Sequence, residues 1–144
     1  EQVESDTGYA LVTQTMTLSL TTFPVSGFIE VPIRPIQSIT SITCYHSSDQ
    51  HQTFSTDVYC LYTARTLVFL KHDQSWPMIT EQHDGIEITM NVGYGVADNV
   101  PRLFKQAVLL QVAKWWAHRG DESQMVAHDT AYERIVRRFA VRYP

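Results

Sequence analysis

Long apolar runs are missing from this chain of 144 residues. Uninterrupted apolar stretches reach only a few residues, Ala107 to Leu110 being typical, against the roughly 20 that a helix needs to cross a bilayer. No basic leader precedes an apolar segment and the first residue is Glu1, so the beginning reads as trimmed rather than targeted, and the chain is expected to be soluble and to avoid membranes. Cysteine is scarce. Cys44 and Cys60 both fall in strand-like segments, and with nothing else pointing to export they read as buried thiols rather than a disulfide framework. Catalytic signatures are absent as well: there is no nucleophile elbow, P-loop, dinucleotide fingerprint or His-Glu-x-x-His. His46 and His51 lie in a polar stretch, His72-Asp73 and His83-Asp84 are loop pairs, and the two cysteines lack zinc spacing. These read as ordinary loop residues, so no metal, cofactor or catalytic residue is expected. Gly93-Tyr94-Gly95 has one residue between its glycines and acidic Asp98 after it, which favours plain turn geometry over a phosphate cradle.

What is present suits a folded domain: 44% hydrophobic residues and 18% charged ones, enough for a real core. The net charge of −4 is unevenly placed. Residues 1–100 hold 3 Lys and Arg against 11 Asp and Glu, a net −8, while residues 101–144 hold 8 against 4, a net +4. An acidic body with a basic tail fits head-to-tail contact between copies or a basic surface kept for another partner, and equally a solvated helix of ordinary Arg content.

Residues 98–119, DNVPRLFKQAVLLQVAKWWAHR, carry the clearest local signal. Asp98 or Asn99 can accept from free helical N–H groups, Pro101 stands where a missing N–H is harmless, and Gly120 is a stop, so the spacing predicts a long helix. At about 100° per residue its apolar side chains run around nearly the whole circumference, so the helix needs cover on several sides. Trp115 and Trp116 point about 100° apart and cannot share one core. Either one of them meets a second helix or a second copy, or both rest against strands and tail of their own chain. Just upstream, Ile86, Ile88, Met90 and Val92 alternate with Glu87, Thr89 and Asn91, as in a half-buried strand.

Earlier segments also read as strands: residues 11–20, 28–31, 36–45, 58–62 and 66–70, with residues 46–53 a polar turn and residues 71–84 a loop packed down by Trp76. Together they predict one antiparallel sheet of about five or six strands. Residues 1–6 read as the last turn of a helix that Gly8 ends. After a polar hinge at 120–127, residues 128–143 predict a C-terminal helix. Its apolar stripe is Ala131, Ile135 and Phe139, beside a basic ridge of Arg134, Arg138 and Arg142 with Arg137 near its edge. That ridge has three readings: a solvated face, a contact for an acidic partner, or a non-specific contact for DNA phosphates.

The combination of strand, Gly93-Tyr94-Gly95 turn, Val100-Pro101 and a helix ending in aromatics and Arg119 resembles the connector, or adaptor, proteins at the head-to-tail junction of tailed bacteriophages and phage-derived gene transfer particles. Gly8 followed by Leu11-Val12-Thr13-Gln14-Thr15, Phe23-Pro24, Ile29-Glu30-Val31-Pro32 and Pro35-Ile36-Gln37-Ser38-Ile39 falls in that family's order and spacing, so the resemblance covers residues 1–122. It implies a single α+β connector domain, with an antiparallel sheet subdomain, a long central helix, a C-terminal helix, and N-terminal helices truncated before Glu1. It also implies a structural virion protein, not an enzyme, at the neck of a particle assembled in the host cytoplasm. Such a protein forms a homo-oligomeric ring, a dodecamer in that family, beneath the portal protein. The ring passes double-stranded DNA without sequence preference and receives a stopper or tail-completion protein below. On this reading Val108, Gln111, Trp115 and Trp116 are expected at subunit contacts, and Arg134, Arg137, Arg138 and Arg142 against the portal or a neighbouring copy. Another neck or tail-completion ring protein, or a small ligand-binding β domain or enzyme, are the competing readings.

Overall fold

The computed structural model describes residues 1–45, 51–76, 85–119 and 130–140. Its elements are α1 (Gln2–Thr7), β1 (Gln14–Leu20), β2 (Phe28–Glu30), β3 (Ile36–Tyr45), β4 (His51–Thr53), β5 (Tyr59–Tyr62), β6 (Leu67–Leu70), β7 (Ile86–Val92), a 3-10 turn (Ala97–Asn99), α2 (Arg102–Ala117) and α3 (Thr130–Phe139). The class is α+β. The chain divides into two compact units, a β unit spanning Thr13–Gly93 and a helical unit made of Glu1–Val12 and Tyr94–Pro144.

In the β unit, β7 is a central strand because its alternation gives it one fully apolar face. Ile86, Ile88, Met90 and Val92 are buried, and the residues between them are half-buried. It pairs antiparallel with β1 on one side, from Gln14 opposite Val92 to Leu20 opposite Ile86, and with β3 on the other. The β3 register shifts twice, which leaves Gln37 and Thr40 as extra residues without partners on β7. Each bulge changes the face on which the following side chain emerges. Ile36, Ile39, Ile42 and Cys44 therefore all stand opposite Val92, Met90, Ile88 and Ile86, although a strict two-residue period places Ile39 on the other face. The amide of Gln37 is held in place by donating to Thr13 Oγ1 at 2.8 Å and to the Gly93 carbonyl at 2.7 Å.

The expected single sheet is in fact two. One has the order β1-β7-β3-β4 and the other β2-β6-β5. Part of the predicted polar turn is β4, whose three residues pair with Thr43 to Tyr45, while residues 46–50 lie outside the described set. Polar side chains hid β4, since an edge strand of three residues needs no apolar face. The second sheet is closed by the β5–β6 hairpin and buries Ile29, Tyr59 and Val68. Trp76 stacks on Phe23 with ring centroids 4.3 Å apart, and Phe54 meets both rings edge-on. The indole thus anchors the start of its loop, as its sequence context predicts. Both thiols are free, but Cys60 is only half-buried, against the expectation of two buried thiols. Cys44 is fully buried, and loss of solvation pushes its pKa up to about 11.

In the helical unit, α1 ends where the Gly8 N–H bonds the Glu4 carbonyl at 2.8 Å, with Gly8 at φ 72°, a conformation glycine adopts without strain. α2 is shorter than the sequence predicts. Asp98 and Asn99 belong to the 3-10 turn and do not cap it; Pro101 occupies the cap position, and its carbonyl accepts from Phe104 and Lys105. The helix ends at His118, ahead of the predicted stop at Gly120, which lies outside the described residues. The core is Val3, Val100, Phe104 and Ala107, ringed by Tyr9, Leu11, Tyr94, Tyr132, Ile135 and Phe139. α3 is thus placed on α2 by Ile135 and Phe139 of the predicted stripe, with Phe139 and Phe104 centroids 4.3 Å apart, together with Tyr132, while Ala131 is exposed.

Phe104 is fully buried while Leu109, on the same helix, is 68% exposed. Phe104→Ala is expected to lower the unfolding free energy by about 3–5 kcal/mol, and Leu109→Ala by no more than about 0.5 kcal/mol. Chemical denaturation of the two variants checks the contrast.

Candidate assembly surfaces

α2 carries apolar residues on most of its circumference but buries only Phe104 and Ala107. Val108, Leu109, Val112, Trp115 and Trp116 are 37%, 68%, 51%, 46% and 70% exposed. At 100° per residue these five share one arc, because they recur at intervals of three, four and seven. Arg119 lies 4.4 Å over the Trp116 ring, a cation–π contact at the end of this stripe. No Asp or Glu occurs between residues 102 and 119, where Arg102, Lys105, Lys114 and Arg119 are the charged residues. The stripe is therefore greasy and bordered by positive charge.

Shallow clefts flank it. One of about 550 Å³ runs from Leu11 and Val12 past Ala97 and Val100 to Val108 and Leu109. A smaller one of about 120 Å³ lies among Val3, Leu11, Val108, Gln111, Val112 and Trp115. Val108, Gln111 and Trp115 thus line one cleft, whereas Trp116 lines neither and shares only the exposed arc with them. Leu109 and Val112 complete the stripe, although the predicted contact set omits them. Their signal was available in the sequence, since Leu109 lies seven residues and Val112 four residues before Trp116.

A polar cleft of about 360 Å³ opens on the other flank of α2, lined by Gln2, Asp6, Gln111, Lys114, Tyr132, Glu133, Val136 and Arg137. Tyr132 donates its hydroxyl to Asp6 Oδ2 at 2.5 Å, which ties α3 to α1. Burial, followed by this bond to a carboxylate, pushes the Tyr132 phenol well above its ordinary pKa. Burial, and then the neighbouring Tyr9, also raises the pKa of the Tyr94 phenol. On the solvent side of α3, Arg137 pairs with Glu133 at 3.2 Å. Arg134 and Arg138 are exposed and make no ion pair with the described residues. Arg142 lies outside the described residues.

Elsewhere, His72 Nδ1 lies 2.9 Å from Asp73 Oδ2 with both side chains exposed. The side chain of His51, and His46, His83 and Asp84, fall outside the described set. Among the described residues no cluster of three or more His, Cys, Asp or Glu is placed to hold a metal. No helix among them is long and apolar enough to cross a membrane. Gly93 and Gly95 both have positive φ, 113° and 99°, the turn geometry expected of them.

These features define an α+β fold with one long, incompletely covered helix. No protein-family model matches the chain and no curated protein matches it. Solved structures do share its fold. A chain in the neck of a native gene transfer agent particle, computed with C12 symmetry, superimposes with a TM-score of 0.81 at 23% identity, covering 99% of this chain and 78% of that one. A chain in the neck of an empty particle, computed with C6 symmetry, gives 0.81 at 22% identity over 99% and 74%. A chain in the virion of the native particle gives 0.80 at 22% over 99% and 73%.

The raised phenols carry a pH signature. They favour the neutral tyrosine in the folded state, so the stability they contribute is complete below the ordinary phenol pKa of about 10 and is lost as pH rises above it. Wild-type protein is expected to lose stability to denaturant above about pH 10, and Tyr132→Phe to lose less over the same range. Equal losses would show that Tyr132 contributes nothing to this dependence.

Proposed function

We propose that this chain is a structural component of a virion neck, a connector whose copies close into a ring at the head-to-tail junction. The observation that carries this reading is the fold match over 99% of the chain to chains of gene transfer agent necks computed with C12 and C6 symmetry. The α2 stripe supports it, because five large apolar side chains left open to water on one helix are the kind of surface that assembly covers. In a ring each copy presents one patch and receives a different one. A stripe on one face of a long helix suits that arrangement.

In this assignment Val108, Gln111, Trp115 and Trp116 lie at the contact between subunits, with Leu109 and Val112 beside them. Arg134, Arg137, Arg138 and Arg142 face the portal protein or a neighbouring copy. The ring extends the channel for double-stranded DNA below the portal and offers its far side to a stopper or tail-completion protein. The role is mechanical rather than enzymatic, and it is carried out in the virion after assembly in the host cytoplasm.

The Arg ridge separates attachment from folding. Arg134→Glu combined with Arg138→Glu reverses two exposed charges that support no described ion pair, so the fold should persist. Native mass spectrometry of the protein with a portal ring is expected to show loss of the complex or of ring closure in the double variant. Unchanged assembly would remove the ridge from the interface.

A further inference from the structure

The two edges of the four-stranded sheet differ in character. On the β3 side, β4 pairs with Thr43 to Tyr45, and the bulges at Gln37 and Thr40 interrupt the remainder. On the β1 side, seven residues run in unbroken register with β7, and among the described residues no strand pairs with the outer side. Sheets usually guard an open edge with a lysine, a proline, a bulge or a covering element, because its free N–H and C=O groups accept any passing strand. The β1 sequence, QTMTLSL, contains no charge and no proline.

Burial across the sheet points the same way. Met16, Leu18 and Leu20 stand directly opposite Met90, Ile88 and Ile86, so they share the face that is fully buried on β7. Yet they are only half-buried, while Thr15, Thr17 and Ser19 on the other face are exposed. The apolar face therefore stops one strand short of being covered.

We propose that β1 is a strand-addition site, occupied by an uncharged, extended segment of a different protein in which apolar and hydroxyl-bearing residues alternate. The segment hydrogen-bonds to the open side of β1 and makes the sheet five-stranded. Its apolar side chains complete the cover over Met16, Leu18 and Leu20, and its polar ones lie beside Thr15, Thr17 and Ser19. The absence of charge on β1 selects an uncharged partner, since a lone ionised group laid along this apolar edge would lose water without gaining a counter-ion. A second copy is a poorer occupant. Its β3 edge is bulged and capped, its other edge strands β4, β2 and β5 have three, three and four residues against the seven of β1, and pairing of β1 with β1 produces a closed twofold dimer that cannot propagate into the proposed ring. The choice of a different protein over a β1–β1 pair rests on the proposed ring, but the open edge does not, and failure of the strand-addition site would leave the ring reading standing.

The test uses hydrogen exchange of individual amides, read by NMR, on the whole chain at low concentration. The probe is a synthetic seven-residue peptide of alternating Thr and Val with flanking lysines, compared with the same peptide carrying proline at its centre. The β1 amides not bonded to β7 are expected to exchange freely at first and to slow by about tenfold or more with the Thr-Val peptide. The proline peptide, which lacks a central donor, is expected to leave them unchanged. Leu18→Lys is expected to abolish the slowing while the β7 amides stay protected. The proposal is overturned if the outward β1 amides are already protected in the isolated chain, or if neither peptide slows them. Equal slowing by both peptides, or by the Leu18→Lys variant, also overturns it. So does slowing that depends on protein concentration alone, which would assign the edge to a second copy.

Discussion

Burial of Phe104 and Ala107 against Val3, Tyr9 and Phe139 is the contact on which the helical unit depends. A helix can be covered only along the arcs its neighbours reach, and α1 and α3 are short, with six and ten residues. Two short helices seat one side of α2 and leave the arc from Val108 to Trp116 open. The sequence of α2 nevertheless keeps large apolar side chains on that arc. Folding of the described residues does not account for them, because exposing them to water gives no stability; in the proposed ring a neighbouring copy covers them.

Charge follows the same division. Every charged residue between positions 102 and 119 is basic, and α3 adds two exposed arginines that the described residues leave without counter-ions. Exposed pairs within one chain contribute little, so such residues have their largest effect where a partner removes them from water or steers toward them. An open apolar stripe and a positive border on one helix are complementary features. The first supplies binding free energy when buried, and the second decides which surfaces may approach.

Much of this was legible in the residues. The alternation of Ile86, Ile88, Met90 and Val92 marked β7, and Gly8 marked the end of α1. The apolar side chains around nearly the whole circumference of residues 103–116 marked a helix that a single buried face does not cover, and five of them are exposed. What escaped the pattern did so for physical reasons. Two bulges in β3 change its period, so Ile36, Ile39 and Ile42 share a face at a spacing of three. Division into two sheets depends on which strands pair, and strand periodicity does not encode pairing. The start of α2 falls after Pro101 because Asp98 and Asn99 are taken up in a separate 3-10 turn and the Pro101 carbonyl accepts from the first turn of the helix. At the candidate surface, the helical period places Leu109 and Val112 beside Trp115 and Trp116, but with apolar residues around most of the helix that period alone does not show which arc its neighbours leave open.

The central claim is that the Val108–Trp116 arc is open in the free chain and covered in the assembled neck. Hydroxyl-radical footprinting of Leu109, Val112 and Trp116, in the isolated chain at high dilution and again in particles, measures this directly. The account predicts heavy labelling of all three in the free chain and strong protection in the particle. Protection already complete in the free chain, or labelling that stays the same after assembly, would contradict it.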